Sequence, residues 1–501
     1  MIIAGLTPVT PAGAVALGTD RQLVAACPHE RVTRVRGRAA RQGWPEETLD
    51  LLLARRSATR RDVHRFVAVE APSGAPAAPL PAGTETLDHH RAHACAAYLT
   101  SPFAAAAVVV CDDAPPGLTV WVGEGPTLRQ IEWPWHGMGF AEAHAWIAEA
   151  VGLPAAGAGQ RLEALARLAP DTGAGWAGQV LDRRADGLVI APNWRATVDD
   201  ALGPQAQLGD PASAAAAAAL QARLGDLFVA LLRQVSERTG QPHVCLGGTL
   251  FGHSPMTTRA RLSGAFAEVF VPADPGDTGL AVGAVLHALG QAPAPVPAFL
   301  GPAYGAEESK AVLDNCKLTY TWESDERAIQ QAVGALMAGR LVGWFDGPME
   351  WGPRALGARS ILANPFAPYV LENLNRFLKH REPWRGYALS GLADAVAAHL
   401  DGPARADHME CDYRPKDRGR FAHVLPTPAA AVRVQTVGPN APPRFHRLLE
   451  AFGEASGLPF LVNTSFNGFH EPIVCSPRDA VRVYYGSGLD LLVIEQFVLQ
   501  K

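Results

Sequence analysis

Gly343-Trp344-Phe345-Asp346-Gly347-Pro348-Met349-Glu350-Trp351-Gly352-Pro353-Arg354-Ala355-Leu356-Gly357-Ala358-Arg359-Ser360 begins in an apolar strand, Leu341 to Phe345, and runs into a loop of glycines, two arginines and two carboxylates. Glycine lets backbone approach a ligand or turn where a Cβ would clash. Arginine forks onto phosphate or carboxylate oxygens. An ordinary core helix or strand has no use for this composition, and the segment reads as an anion-handling loop that follows the strand. The alternative is a surface turn with scattered charges.

Around this loop the pattern alternates. After it, Val432 to Val437 and Phe460 to Val462 read as strands, and Arg444 to Ser456 as a helix; Asp325 to Met337 is a helix ahead of it. Toward the N-terminus, strands are expected at Ile2 to Leu6, Ala14 to Leu17, Leu23 to Ala26, Phe66 to Glu70, Val108 to Cys111, Leu118 to Val122 and His243 to Leu246. Helices are expected at Glu46 to Arg56, behind Pro45, and at Ser213 to Ser236, with Ser213 as cap. The run Gly290 to Pro297 is a stiff proline linker. It divides the chain into two α/β domains, 1–300 and 301–501.

Bulk properties exclude several classes. The net charge of −5 gives no basic stripe for a nucleic acid. No apolar run is long enough to span a bilayer, and no basic leader precedes a cleavage site, so neither a membrane nor secretion is expected. The seven cysteines form no C-x-x-C pair, which argues for a reducing cytoplasm and against a disulfide framework, zinc ribbon or iron–sulfur site.

Asp88-His89-His90-Arg91-Ala92-His93 opens an alanine-rich helical stretch. His89 and His93 are four apart and share a face, so both can reach one ion. Asp112 ends the buried strand that follows, and Asp277 sits in the turn Asp274 to Gly279. Two imidazoles and two carboxylates suit iron, manganese, cobalt or zinc. His90 points off that face. Gly247 and Gly248 follow a strand and offer backbone N–H groups to a nucleotide, or else serve a turn. In the second half, Lys379-His380-Arg381-Glu382-Pro383-Trp384-Arg385 and Asn463-Thr464-Ser465-Phe466-Asn467-Gly468 join Arg354, Arg359 and Arg433 in a set of cations and fixed donors suited to a polyphosphate.

These motifs together resemble the ATP-dependent carbamoyltransferases that act on antibiotics and nodulation factors, the tobramycin and cephamycin type. The specific segments are Glu30 to Val35, His89 to His93 with Ser101-Pro102-Phe103, the turn at Asp277, Met349 to Gly357, Lys379 to Trp384, and Asn463 to Asn467 with Glu471 to Val474. The resemblance implies an actin-like ATPase (Kae1-like) N-terminal domain with ribonuclease-H-like halves and a YrdC-like C-terminal domain. It implies that the latter forms carbamoyl adenylate from carbamoyl phosphate and ATP with Mg2+, and that the former, with iron as the foremost metal, passes the carbamoyl group to a hydroxyl or amine of a small natural product. His89, His93, Asp112 and Asp277 become the metal ligands. Arg354, Arg359, Lys379, Arg381, Ser465 and Asn467 become phosphate ligands; the paired signatures of the family's adenylate-forming domain fall at Lys379-His380-Arg381 and Ser465-Phe466-Asn467. A homodimer is a further expectation.

The chain departs from the family pattern in places. Thr10 to Val15 carries no histidine where the family has a candidate base. Arg161-Leu162-Glu163-Ala164 replaces a Gly-Glu-Tyr-Lys segment, and Pro426 to Ala430 replaces a His-x-Asp-Gly-Thr segment. His90 or Asp113 is then the candidate base, with Arg354 beside the reacting groups. The competing expectation is a degenerate, non-catalytic scaffold subunit.

Overall fold

The structure is a computed structural model, and it describes residues 1–7, 13–37, 43–71, 80–155, 157–170 and 175–501. Thr10 to Ala12, in the segment where the family base is missing, lies outside the described residues. The chain is α/β throughout. Ile2–Thr7, Ala14–Thr19 and Gln22–Pro28 form an antiparallel meander, and Val63–Val69 and Glu85–Leu87 extend it in parallel beyond Ile2–Thr7. A second five-stranded sheet repeats this plan. Ala105–Cys111, Leu118–Glu124 and Thr127–Ile131 form the meander, and His243–Gly247 and Glu268–Phe270 add in parallel. Helix His89–Leu99, rich in alanine, packs closely on helix Leu280–Leu289, and both lie against these sheets. Their small side chains let the backbones approach and bring the two N-terminal ends together.

Residues 321–500 build a separate mixed sheet of ten strands. Val342–Phe345 lies at its centre, antiparallel to Arg359–Ala363, which in turn pairs with Phe460–Ser465. The arginine loop therefore connects two adjacent strands, and Ser360 pairs directly with Ser465. The proline linker is pinned from both sides: Ala294 N–H donates to the Leu99 carbonyl at 3.1 Å, and the Trp351 indole donates to the Pro297 carbonyl at 3.0 Å.

Two expectations need correction. The long helix spans Pro211–Thr239 and is capped by Asp210, whose carboxylate accepts from Ser213 N–H at 2.8 Å. Proline at the first helical position fixes the start two residues before Ser213. By length and composition this helix is also apolar enough to cross a bilayer, contrary to the sequence reading. Most of its apolar window is buried in the core, where it packs against helices Phe140–Ala150 and Ala158–Ala166.

Candidate active site

Helix His89–Leu99 starts at Asp88, whose side chain accepts from Arg91 N–H at 2.7 Å. This cap sets the helix so that His89 and His93 face the end of strand Ala105–Cys111. His89 Nε2 lies 2.9 Å from Asp112 Oδ2, and His93 Nε2 lies 3.4 Å from Asp112 Oδ1. Asp277 Oδ1 is 3.8 Å from His89 Nε2 and 3.6 Å from His93 Nε2. One ligand atom from each of the four lies within 4.8 Å of all the others. His93 Nε2 and Asp277 Oδ1 are buried without a hydrogen-bond partner. Buried polar atoms are ordinarily satisfied, and these converge on one point as a divalent ion requires. The donor set fits a first-row metal. Burial opposes a charge on His93, yet the Asp112 and Asp277 carboxylates outweigh it and raise the imidazole to about 10. Asp112 is held well below the usual carboxylate range by both histidines, against the cost of burial.

Asp112 is oriented by backbone. Thr249 N–H donates to its Oδ1 at 2.9 Å, and Ala114 N–H to its Oδ2 at 3.1 Å. Asp113 N–H donates to the Thr249 hydroxyl at 3.3 Å. Desolvation, with Asp112 and Asp277 nearby, pushes the Asp113 carboxyl up to about 6.

His90 does not join this group. The Trp121 indole donates to Thr119 Oγ1, which leaves that hydroxyl to donate to His90 Nδ1 at 3.0 Å. His90 Nε2–H then donates to the Ala114 carbonyl at 3.0 Å. Both ring nitrogens are engaged, and burial lowers its pKa. The sequence expectation of His90 as a base is corrected: it fastens the Ala114 turn. Gly248 is also corrected. Gly248 has φ of 103°, and a Cβ there would stand 2.2 Å from the Cys111 carbonyl oxygen. Its N–H is taken by the Pro275 carbonyl at 2.8 Å. The glycines permit a close crossing of two chain segments and have no N–H turned to a phosphate at Gly248.

A cavity of about 740 Å³ lies between the two halves of the chain. Arg354, Lys379, Arg381, Arg385 and Arg433 line it with Arg36, Arg161 and Arg167, and Glu163 is its buried carboxylate. Lys379 Nζ donates to the Ser465 carbonyl at 2.7 Å, the Asn467 carbonyl at 3.2 Å and Asn467 Oδ1 at 2.5 Å. Ser465 Oγ donates to the same Oδ1 at 2.9 Å. The two signatures, separated by 83 residues of chain (382–464), thus meet as one unit. Burial, then neighbouring cations, lowers Lys379, brings Arg354 to about 9 and brings Arg385 to about 10. Cations held close together out of water are arranged for an anion to relieve them.

Arg359 does not reach this cavity. Its guanidinium is fully buried, stacks 3.6 Å from the Phe345 ring centroid, and donates to the carbonyls of Asp346, Ala358 and Pro302. Its expected phosphate role is corrected to that of a structural cation. Arg359→Ala is expected to cost about 3 kcal/mol by stranding buried carbonyls. Thermal melts should show a large loss for Arg359→Ala and little for Arg354→Ala.

Several site residues were missed by sequence reading. Glu350 is fully buried, and its Oε1 accepts three backbone N–H groups, from Leu356, Ala358 and Arg359. It therefore shapes the loop that carries Arg354. Arg31, from the first half, clamps the carbonyls of Glu350 and Gly352. Gly352 rests on the turn that carries Asp277, since a Cβ there would lie 2.2 Å from the Ala273 carbonyl oxygen. Glu163 accepts from Arg433, from Arg167 at 2.7 Å and pairs with His253 Nδ1 at 2.5 Å, while Arg167 also reaches Asp412 at 3.0 Å. Charged residues separated by hundreds of positions carry no local signal. Only the arginine-rich composition around them hinted at a partner. Arg354 Nη2 donates to the Gly252 carbonyl at 2.8 Å, so the short segment Thr249–Gly252 touches Asp112 at one end and Arg354 at the other.

Glu495 accepts from Gly347 N–H at 3.1 Å at the base of the loop. Desolvation and the Asp346 carboxylate push it up to about 7, above its ordinary 4.5. Its contribution to stability is thus full below about 4.5 and is lost as pH rises through 7. Glu495→Gln is expected to raise Tm by about 2 °C at pH 8 and to leave it unchanged at pH 4. Equal gains at both values would rule out this origin.

Residues 333–501 match the model of the carbamoyltransferase C-terminus. The protein sll1178 of Synechocystis sp. is 31% identical, over 83% of this chain and 76% of its own length. Nodulation protein NolO of Bradyrhizobium diazoefficiens is 31% identical over 57% of this chain and 54% of its own. The 3'-hydroxymethylcephem-O-carbamoyltransferase of Amycolatopsis lactamdurans is 31% identical over 56% of this chain and 52% of its own. The chain thus spans about half the length of these two named relatives. Among solved structures, full-length HypF in its phosphate- and nucleotide-bound form is 14% identical, with a TM-score of 0.38 over 57% of this chain and 55% of that one. The chain belongs to the carbamoyltransferase family that includes the NodU and NolO nodulation proteins and the cephem O-carbamoyltransferase.

Proposed function

We propose that the protein is an ATP-dependent carbamoyltransferase with two sites in one chain. Residues 301–501, read as a YrdC-like domain, take carbamoyl phosphate and ATP with Mg2+. Water releases phosphate from carbamoyl phosphate to leave carbamate. The carbamate oxygen attacks the α-phosphorus of ATP, pyrophosphate leaves, and carbamoyl adenylate forms. Residues 1–300, read as an actin-like, Kae1-like domain, transfer the carbamoyl group to a hydroxyl or amine of a small natural product, and AMP departs. The repeated sheet plan in the first half supports the actin-like reading.

The observation that carries this proposal is the union of Lys379 and Arg381 with Ser465 and Asn467 on a cationic cavity also lined by Arg354. Arg354 and the Ser-x-Asn turn would orient phosphate oxygens, and Lys379 would hold that turn while adding its charge. Enclosure between the two halves would keep water from carbamate. His89, His93, Asp112 and Asp277 would hold a divalent metal, iron foremost, which when bound supplies charge to polarise the adenylate and balance departing AMP. Asp113, at about 6, is suited to take the acceptor proton near neutral pH.

The test is pyrophosphate release from carbamoyl phosphate and ATP, with and without candidate acceptors, in wild type and Arg354→Ala. Turnover that depends on carbamoyl phosphate and falls about a hundredfold in the variant supports the reading. Absence of turnover with any acceptor would leave a non-catalytic subunit as the better account.

A further inference from the structure

The rim of the cationic cavity carries an aromatic patch that the chemistry above does not use. Phe469 lines the cavity yet is 53% exposed. The His380 ring stands edge-on to it, with centroids 5.7 Å apart at 87°, and the His470 ring lies 4.0 Å away at 57°. All three line the same cavity as Lys379, Arg381 and Asn467. His380 and His470 have φ of 46° and 56°, a left-handed conformation that side-chain-bearing residues rarely adopt and that concentrates at ligand sites. The sequence alternates charge donors and rings: Lys379-His380-Arg381, and Asn467-Gly468-Phe469-His470. Backbone turns in the left-handed region hold the rings at the mouth while the flanking residues face the anion-binding interior.

We propose that Phe469, flanked by His380 and His470, is the stacking surface for the heteroaromatic base of a nucleoside triphosphate whose phosphates occupy the cationic cavity. This rests on the reading of that cavity as a nucleotide site. An exposed phenylalanine offers a π-face to a base without selecting its hydrogen-bond edge, and such stacking adds to a charge-driven phosphate grip. Phosphate contacts alone would bind inorganic tripolyphosphate as well as a nucleotide; the ring makes the difference.

The experiment is calorimetric titration of the full chain with ATP and with tripolyphosphate, both with Mg2+, in wild type, Phe469→Ala and Phe469→Trp. Wild type is expected to bind ATP about tenfold more tightly than tripolyphosphate. Phe469→Ala should remove that preference and leave tripolyphosphate affinity unchanged, and Phe469→Trp should retain it. The side chain is exposed, so the variants are expected to fold. An unchanged ATP-to-tripolyphosphate ratio in Phe469→Ala, or a wild-type ratio of one, overturns the stacking proposal while the cavity remains an anion site. Failure of wild type to bind either ligand overturns both the stacking and the nucleotide reading of the cavity.

Discussion

With the metal site as proposed, Asp112→Ala is expected to take the metal content from about one ion per molecule to under about a tenth. Asp112 is the one carboxylate within 3.4 Å of both imidazoles. Two backbone N–H groups, from Thr249 and Ala114, fix its orientation. Without it, the site retains two histidines and the single Asp277 carboxylate, and no anion offsets the second charge of the ion. The check is elemental analysis of untagged protein purified without chelators, with iron, manganese, cobalt and zinc all scored. A variant with wild-type metal content, or a wild type with none, would sink the assignment. Transfer to an acceptor should disappear with the metal, while pyrophosphate release without acceptor should persist, because the second site shares none of the four ligands.

Lys379→Met should have the opposite pattern. The three donors of Lys379 Nζ are spent on the Ser465 carbonyl and the two oxygens of Asn467. Its removal releases the Ser-x-Asn turn and deletes a charge from the cavity. Pyrophosphate release is expected to fall by about a thousandfold, the upper end for losing one preorganised electrostatic group. Metal content should not change. Tm should fall modestly, because the Ser465 and Asn467 carbonyls lose their donor, and loss of the poorly solvated cation offsets part of that cost. Fewer than about ten lost fold of activity, or a collapse in Tm, would contradict the role.

The sequence reading and the structure agree best where the signal is local. The strands around the arginine loop, helix Asp325–Met337 and strand Val432–Val437 follow hydrophobic periodicity, and the structure has them at or near the expected bounds. The spacing of His89 and His93 likewise brings both rings to Asp112 and Asp277. Arg354 and Arg359 mark the limit of such reading. Five residues apart in one loop, they are equivalent as letters, yet one lines the cavity and the other is sealed against Phe345. Burial decides between them, and burial depends on the strand pairing of Arg359 with Phe345. Gly247 and Gly248 are similar: a glycine pair after a strand fits a phosphate or a tight crossing, and only the Cys111 carbonyl distinguishes these. The roles of Glu163 and Arg31 were beyond reach, because each is defined by a partner on the other half of the chain, and that of Glu350 because the loop it gathers forms only on folding.

Those long-range pairs have a consequence for inheritance. Glu163 is answered by Arg433, Arg167 by Asp412, and the carbonyls of Glu350 and Gly352 by Arg31. A gene divided near codon 300 would yield two polypeptides, each with buried charges whose counterparts had left with the other. Such fragments would be insoluble alone or would recombine as a tight heterodimer. Recombination that exchanged one half between relatives would succeed only if these pairings travelled together, so the chain is expected to pass between genomes whole.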